Sequence, residues 1–332
     1  MPSRFQVVIA DYITGALEPE LGVLGDIADV VALNAFSEAE LVGKIEAAHA
    51  VMLYHNLGLS RATIERLTNC RAIVRCGVGV DNVDLALARE RNIPVMNVPD
   101  YGTEDVADSA IGLMLALTRG IHYQNSLLRA GGNHRWDYTN IAPLNRLRGR
   151  VFGIVGLGCI GSATALRAKA LGMDVVFYDP YLADGMQRAL GVRRAETLDE
   201  LLAQTYVLSL HCPLTPETRH LINRAALAKL PRGSYLVNTA RGAVVETAAI
   251  PEFIASGHLA GAAIDVLEHE PPGDEDALVR AWRDPKHAAH HRVIINPHCA
   301  FYSEEGLRDM RVKGSQACRR ALLGERLRNV VN

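Results

Sequence analysis

Short β-branched and apolar runs alternate with stretches of helical periodicity along the chain. The first series is Phe5 to Asp11, Asp29 to Asn34, Ala50 to His55, Ala72 to Cys76 and Val95 to Val98, each read as a strand. Between them, Ser37-Glu-Ala-Glu40 has the form of a capping box opening a helix, and Ser60 is placed to cap a helix carrying Ile64 and Leu67. A long amphipathic helix is predicted to start at Thr103 and run past Thr118, and Ala130 to Asn145, with a Gly-Gly pair and Trp136, reads as loop. A second strand series follows at Val151 to Val155, Asp174 to Asp179, Tyr206 to His211, Ser234 to Asn238, Ala260 to Val266 and Val293 to Asn296. Thr197-Leu-Asp-Glu200 caps one intervening helix, Gly257 ends another, and a last helix runs from about Ser303 to Leu323. Such alternation predicts an α/β protein built on parallel sheets.

Composition narrows the function classes. With 332 residues, 49% apolar and 5% aromatic, the chain is long enough for two domains with a core each, and a ligand site is expected in the cleft between them. A net charge of −2 without a basic run gives nothing to hold a phosphate backbone, so no nucleic acid is expected as partner. The start MPSRFQVVIADY has no secretory pattern, and no apolar stretch approaches the roughly 18 residues of a membrane span. The expected compartment is the cytoplasm. Cys70, Cys76, Cys159, Cys212, Cys299 and Cys318 show no CxxC spacing, so no metal is expected, and they read as free thiols serving as small apolar residues.

Two glycine pairs follow strands. In Val155-Gly-Leu-Gly-Cys-Ile-Gly161 the pattern GxGxxG is complete and precedes a helix read as Ser162 to Leu171. Gly156 allows the tight turn, Gly158 lets backbone approach a pyrophosphate, Gly161 lets helix and strand pack, and the free amides of the helix start face the phosphates. Gly77-Val-Gly79 fails the test, because Asn82 stands where the third glycine belongs. Asp179 ends the next strand, where a carboxylate accepts ribose hydrogen bonds and repels a 2′-phosphate; Pro180 and Tyr181 after it bring no arginine. NAD is therefore expected over NADP.

Ligands of doubly wound sheets lie outside the carboxyl ends of the strands. Arg241, Asp265, Glu270 and His298 all follow strand ends of the second series and are expected to face one crevice. Hydride transfer between a nicotinamide and the carbinol carbon of a small 2-hydroxy acid fits that set. His298 would move the proton, Glu270 would hold its tautomer, and Arg241 offers a planar fork of donors to a carboxylate and its neighbouring carbonyl.

At these residues the chain resembles the D-isomer-specific 2-hydroxyacid dehydrogenase family over nearly its whole length. The blocks are Arg75-Cys-Gly-Val-Gly-Val-Asp-Asn82, Gly153-Ile-Val-Gly-Leu-Gly158, His211-Cys-Pro-Leu-Thr-Pro-Glu-Thr218, Leu236-Val-Asn-Thr-Ala-Arg-Gly242, Asp265-Val-Leu-Glu-His-Glu-Pro271 and Pro297-His298. Within the family, Tyr54-His55, Phe177-Tyr-Asp-Pro-Tyr-Leu182, His220-Leu-Ile-Asn223 and Phe301-Tyr-Ser-Glu304 are similar to the C-terminal-binding protein branch.

The resemblance implies two doubly wound parallel-sheet domains, a Rossmann NAD-binding domain (102–300) inserted in a flavodoxin-like substrate domain (1–101 and 301–332). It implies Arg241, Glu270 and His298 as catalytic residues and Asp265 as contact of the nicotinamide amide. Val106, Cys159, Ile160, His211, Cys212, Pro213, Thr218, Thr239 and Ala240 join the glycines and Asp179 as cofactor contacts. Arg75 with Gly77, Val78 and Gly79 would meet the substrate carboxylate, and Tyr54, Phe301 and Tyr302 would shape its pocket. A homodimer is implied, with the loop near Trp136 at the partner subunit.

Some positions depart from the family pattern. Phe301 stands where the C-terminal-binding branch has tryptophan, Cys299 replaces a small residue, Val244-Val-Glu-Thr replaces the common Val-Val-Asp-Glu, and Gly273 to His291 is longer than usual and reads as a surface excursion. Two other functions compete. One is an NAD-binding scaffold that docks peptides, which the intact Arg, Glu and His set argues against; the other is a phosphoglycerate-type dehydrogenase. Formate is disfavoured by Glu270, where formate dehydrogenases of the family carry glutamine.

Overall fold

The computed structural model describes residues 4–131, 136–141 and 143–332. The first three residues of the N-terminal run and Gly132 of the Gly-Gly pair lie outside the described residues. The chain divides into two compact units, Met1–Gly102 with Ser303–Asn332, and Thr103–Tyr302.

Unit 1 opens with β1 (Phe5–Ile9), α1 (Glu18–Leu24), β2 (Ala28–Ala32), β3 (Ala50–Leu53), α2 (Arg61–Arg66), β4 (Ala72–Arg75), α3 (Leu85–Glu90) and β5 (Val95–Asn97). Unit 2 holds α4 (Thr103–Thr118), α5 (Ile121–Ala130), β6 (Val151–Val155), α6 (Cys159–Ala170), β7 (Asp174–Tyr178), α7 (Met186–Leu190), β8 (Arg193–Arg194), α8 (Leu198–Gln204) and β9 (Val207–Leu210). It continues with α9 (Arg224–Lys229), β10 (Ser234–Asn238), α10 (Ile250–Ala255), β11 (Leu259–Ile264), α11 (Ala277–Arg283) and β12 (Val293–Ile295). The last helix, α12 (Glu304–Leu323), returns to unit 1.

Both sheets are parallel, in the orders β2-β1-β3-β4-β5 and β12-β11-β10-β9-β6-β7-β8. These are the flavodoxin-like and Rossmann orders, each reversing direction once, between β1 and β3 and between β6 and β9. Central strands such as β3, β4 and β9 are buried at every residue, as required when helices cover both faces. In unit 2 one face packs Leu208, Leu236 and Ile264 against the helices, and the other packs Phe152, Phe177 and Met114.

Side-chain caps form on short and long helices alike, six-residue α3 and α9 included. Thr197 Oγ1 accepts the Glu200 amide at 3.1 Å and Ser303 Oγ accepts that of Gly306 at 2.8 Å. Four expectations are corrected. Ser37-Glu-Ala-Glu40 opens only the 3₁₀ turn Glu38–Leu41, and Ser37 Oγ donates to Glu40 Oε1 at 3.0 Å instead of accepting an amide. The helix from Thr103 stops at Thr118, because Gly120 takes a φ of +61° and starts α5 in a new direction. The glycine-rich helix begins at Cys159, three residues before the expected Ser162. The stretch from Gly273 to His291 is not a surface excursion: it contains α11, whose Leu278 and Val279 join the apolar core with Ala289. The physical reason is the adjacent apolar pair, which has one face of the sheet's helical layer to enter.

At the switch point of unit 1, the fully buried Asp11 follows β1 and accepts the amides of Tyr54 at 2.6 Å and Asn56 at 2.7 Å, both just beyond β3. Burial raises its pKa against the pull of these amides and the charge of Arg75. Asp11→Ala orphans two amides, at roughly 1–3 kcal/mol each. Its urea midpoint is expected to fall well below that of the parent; an unchanged midpoint would show that the loop finds other acceptors.

Candidate active site

The turn after β6 carries three glycines, two of which have no room for a side chain. A Cβ on Gly156, at a φ of +88°, would lie 2.8 Å from the Cys212 amide nitrogen, and one on Gly161 would overlap the Gly156 carbonyl oxygen. Gly158 is different: no atom lies within 4 Å of a Cβ placed there. The turn is thus tight on the protein side and open outward, where the first amides of α6 (Cys159, Ile160, Gly161) are unpaired within the helix.

Asp179 closes the turn. Its Oδ2 accepts the Leu157 amide at 2.9 Å and its Oδ1 that of Tyr181 at 3.0 Å. Gly156, Gly158, Asp179, His211, Cys212, Pro213 and Thr218 all line one cavity of about 520 Å³. Thr218 Oγ1 shapes its wall by accepting the Thr215 amide at 2.7 Å and donating to the Pro213 carbonyl at 2.6 Å. Desolvation pushes the His211 pKa down to about 4, so the ring is neutral at physiological pH, with Nε2 2.9 Å from Ser209 Oγ. Cys212 is pushed up to about 11 by burial and is an inert thiol. Pro180 and Tyr181 bring no arginine to Asp179, but Arg194, on the unpredicted strand β8, donates to the Asp179 carbonyl at 3.2 Å and the Leu182 carbonyl at 3.1 Å and pairs with Asp184.

The charged set gathers at the carboxyl ends of β10, β11 and β12. His298 Nδ1 lies 2.7 Å from Glu270 Oε2, and Glu270 Oε1 accepts the Leu267 amide at 2.8 Å. Burial raises the Glu270 pKa, but the His298 hydrogen bond and charge, the Leu267 amide and Arg241 outweigh it and hold the carboxyl below its usual range. His298 itself has a φ of +51°, an uncommon conformation for a side-chain-bearing residue. Its amide donates to the Asp265 carbonyl at 2.7 Å, and the Asp265 carboxylate accepts the amides of Cys299 and Ala300 at 3.0–3.1 Å. The Phe301 ring stands edge-on to His298 with centroids 6.2 Å apart.

Sequence reasoning missed the residues that hold this set in place. Asn238 Oδ1 accepts the Ala240 amide at 3.0 Å and its Nδ2 donates to the Arg241 carbonyl at 2.9 Å, so one buried side chain fixes the turn Thr239-Ala240-Arg241. An asparagine opening a turn is the signal that would have found it. On the other side of the Glu270 loop, His220 Nε2 lies 2.7 Å from Glu268 Oε2, while Glu268 Oε1 accepts both the amide and the hydroxyl of Thr247.

Val106 is buried on α4, in the same unit. Tyr302, exposed, ends that unit, and the remaining expected residues belong to unit 1. Gly77, with a φ of +156°, leaves room for the Arg75 guanidinium, which donates to the Cys76 carbonyl at 3.1 Å. Val78 and Gly79 follow, Val78 exposed. Tyr54 is fully buried, its ring stacked on Tyr12 with centroids 5.6 Å apart.

The residues fit a dinucleotide. The glycine cradle is open only where a pyrophosphate would lie, and the buried Thr239 Oγ1 has no hydrogen-bond partner among the described residues. Among those residues no cluster of metal ligands occurs, and no helix is long and apolar enough to cross a membrane.

Comparison with known proteins agrees. Residues 111–300 match the family described as D-isomer specific 2-hydroxyacid dehydrogenase, NAD binding domain. D-3-phosphoglycerate dehydrogenase of Methanocaldococcus jannaschii is 33% identical over 95% of this chain and 57% of its own length. C-terminal-binding protein 1 of Caenorhabditis elegans is 32% identical over 92% of this chain and 42% of its own. The chain thus spans about half the length of the curated relatives it matches. A solved structure from Thermus thermophilus superposes with a TM-score of 0.84 at 32% identity, covering 99% of this chain and 100% of that one.

The three glycines separate folding from binding. Gly161→Ala is expected to lower Tm, since its Cβ meets backbone, whereas Gly158→Ala should leave Tm unchanged and weaken NADH binding at least about tenfold, roughly 1.4 kcal/mol. Thermal melts with NADH fluorescence titrations check both; full NADH affinity in Gly158→Ala would place the pyrophosphate elsewhere.

Proposed function

The chain belongs to the D-isomer-specific 2-hydroxyacid dehydrogenase family, and from that premise we propose that it interconverts a 2-keto acid and a D-2-hydroxy acid with NAD(H). The observation that carries this reading is the His298–Glu270 pair at 2.7 Å, set at a strand's carboxyl end in the same unit as the glycine turn and Arg241.

NAD(H), when bound, supplies or takes the hydride. Every other task falls to side chains. With Nδ1 engaged by Glu270, His298 exchanges its proton with the substrate oxygen through Nε2. Glu270, ionised throughout the working range because its pKa lies below the ordinary carboxylate value, fixes the ring and stabilises its protonated form. Arg241 binds the substrate carboxylate with its planar fork and polarises the neighbouring carbonyl. Gly156, Gly158, Gly161, Asp179, Thr218, Thr239 and Asp265 hold the cofactor, and Arg75 with the Gly77–Gly79 loop and Phe301 contributes to substrate binding.

NAD is proposed over NADP, because Asp179 puts a carboxylate at the cavity wall while Arg194 is committed to carbonyls and to Asp184. A homodimer is proposed on the strength of Trp136 and Tyr138, 91% and 84% exposed, which a second copy would cover. The cytoplasm is the proposed compartment, as all six cysteines are free.

A panel of 2-keto acids, including a phosphorylated one, assayed with NADH and NADPH tests the reading. Turnover with NADH exceeding that with NADPH is expected. A stable protein that binds NADH and reduces none of them would favour the scaffold alternative, and selective use of the phosphorylated acid the phosphoglycerate one.

Two sets of variants probe the site. His298→Ala should lose roughly two to four orders of magnitude in kcat. Reduction requires a protonated imidazole, and Glu270→Gln removes the anion that favours it, so the falling limb of the pH–rate profile should move to lower pH. An unmoved limb would assign the proton to another group. Arg241→Lys keeps the charge but loses the fork, and should cost at least about tenfold in kcat/KM, ~1.4 kcal/mol, with little change in NADH affinity. Retained kcat/KM would remove Arg241 from substrate binding.

A further inference from the structure

Unit 1 carries a cavity of about 210 Å³ that none of the residues assigned above lines. Lys313 and Arg320 of α12, Arg328 and Asn329 of the C-terminal tail, and Asn97 at the end of β5 surround it. Its cations are unequal. Lys313 is neutralised by Asp100 at 3.2 Å and Asp309 at 2.9 Å. Arg320 and Arg328 have no ion pair among the described residues, and the nearby acids Asp26 and Glu325 act on Arg319 instead. Asp100 also lines the cavity, but its carboxylate is engaged by Lys313, so two guanidinium forks border one small polar cavity with no ion pair of their own among the described residues.

We propose that this cavity binds a doubly charged tetrahedral oxyanion, inorganic phosphate or a small phosphate monoester, between Arg320 and Arg328. Guanidinium matches such oxygens with paired donors, and Gln316 adds a side-chain amide to the lining. The volume admits a phosphate with a short carbon chain and lies below the roughly 300 Å³ at which pockets for drug-sized ligands begin.

The site has a mechanical connection to the Gly77–Gly79 loop. Asn97 donates its backbone amide to the Asn329 carbonyl at 3.1 Å and its side-chain amide to the Val78 carbonyl at 2.8 Å. The Val98 amide donates to the Gly77 carbonyl at 3.0 Å, and that of Val331 to the Val95 carbonyl at 2.9 Å. The tail, β5 and the loop are thus bonded in sequence. An anion joining Arg328 of the tail to Arg320 of the helix holds the tail on β5, and through Asn97 stiffens the loop.

Amide hydrogen exchange on the full chain tests both halves, with sodium phosphate against sodium chloride at equal ionic strength. At ten times the dissociation constant, exchange through openings that release the anion slows about tenfold. Protection is expected in 328–332, 95–98 and 77–79. The double variant R320Q/R328Q should bind phosphate at least fivefold more weakly and lose the protection, with its circular dichroism unchanged; R328Q, altered only in the exposed tail, serves if the double variant misfolds. Equal protection by chloride, or full protection in the variants, overturns the site; protection confined to the tail overturns the coupling. Glycerol phosphate in place of phosphate separates the two ligand sources, tighter binding identifying the monoester and equal or weaker binding the free ion. None of these readouts requires turnover, so failure here leaves the dehydrogenase reading standing, and failure of that reading leaves this one.

Discussion

Asp265 follows β11, is 1% exposed, and holds three backbone amides on its carboxylate and carbonyl oxygens, those of His298, Cys299 and Ala300. Those bonds hold the segment after β12 in a conformation it would not adopt alone, for a left-handed backbone at a histidine costs of order 1–3 kcal/mol. They also explain why an aspartate rather than an asparagine suits the position: all the facing groups are donors, and an acceptor-only side chain satisfies them without a wasted hydrogen. Burial opposes this by raising the carboxyl pKa, and the amides oppose burial. The orientation of His298 toward Glu270 is the product of that balance.

The same economy governs the glycine turn. Asp179 was expected to face a ribose, yet its oxygens already accept the Leu157 and Tyr181 amides. A carboxylate has about four lone-pair positions, so bracing the turn and receiving a ribose are compatible. It follows that substitution of Asp179 mixes two effects, a loosened phosphate cradle and an altered ribose contact. Arg194, tied to the carbonyl of the same residue, adds a third partner to the corner.

Periodicity made most of the strand series legible because both sheets are parallel and their central strands are covered on both faces, which turns those strands into short apolar runs. Val151–Val155 and Ser234–Asn238 coincide with their predicted bounds for that reason. What periodicity could not show was decided by single positions. A positive φ at Gly120 divided a helix, and Leu278 and Val279 drew an apparent excursion into the core. In the site, motif spacing found the residues with chemistry, since charged side chains at strand ends are conspicuous. It did not find Asn238, Glu268 or Arg194, whose work is to hold backbone or another side chain, because that role depends on distances across the fold and not on spacing along the chain.

Polar bracing recurs around the Glu270 loop for a physical reason. Glu268 and Glu270, two residues apart, each grip a histidine at 2.7 Å, His220 and His298, and Gly242 lets the Arg241 turn lie against the backbone at Leu267 because any Cβ there would overlap the Leu267 carbonyl. Apolar packing of the same strength would need side chains stacked over the loop, and those would cover the strand ends that a ligand must reach. Charge-assisted hydrogen bonds give comparable fixation within the loop's own layer and leave its outer face polar. The loop is therefore stiffened by the class of interaction that keeps its site open.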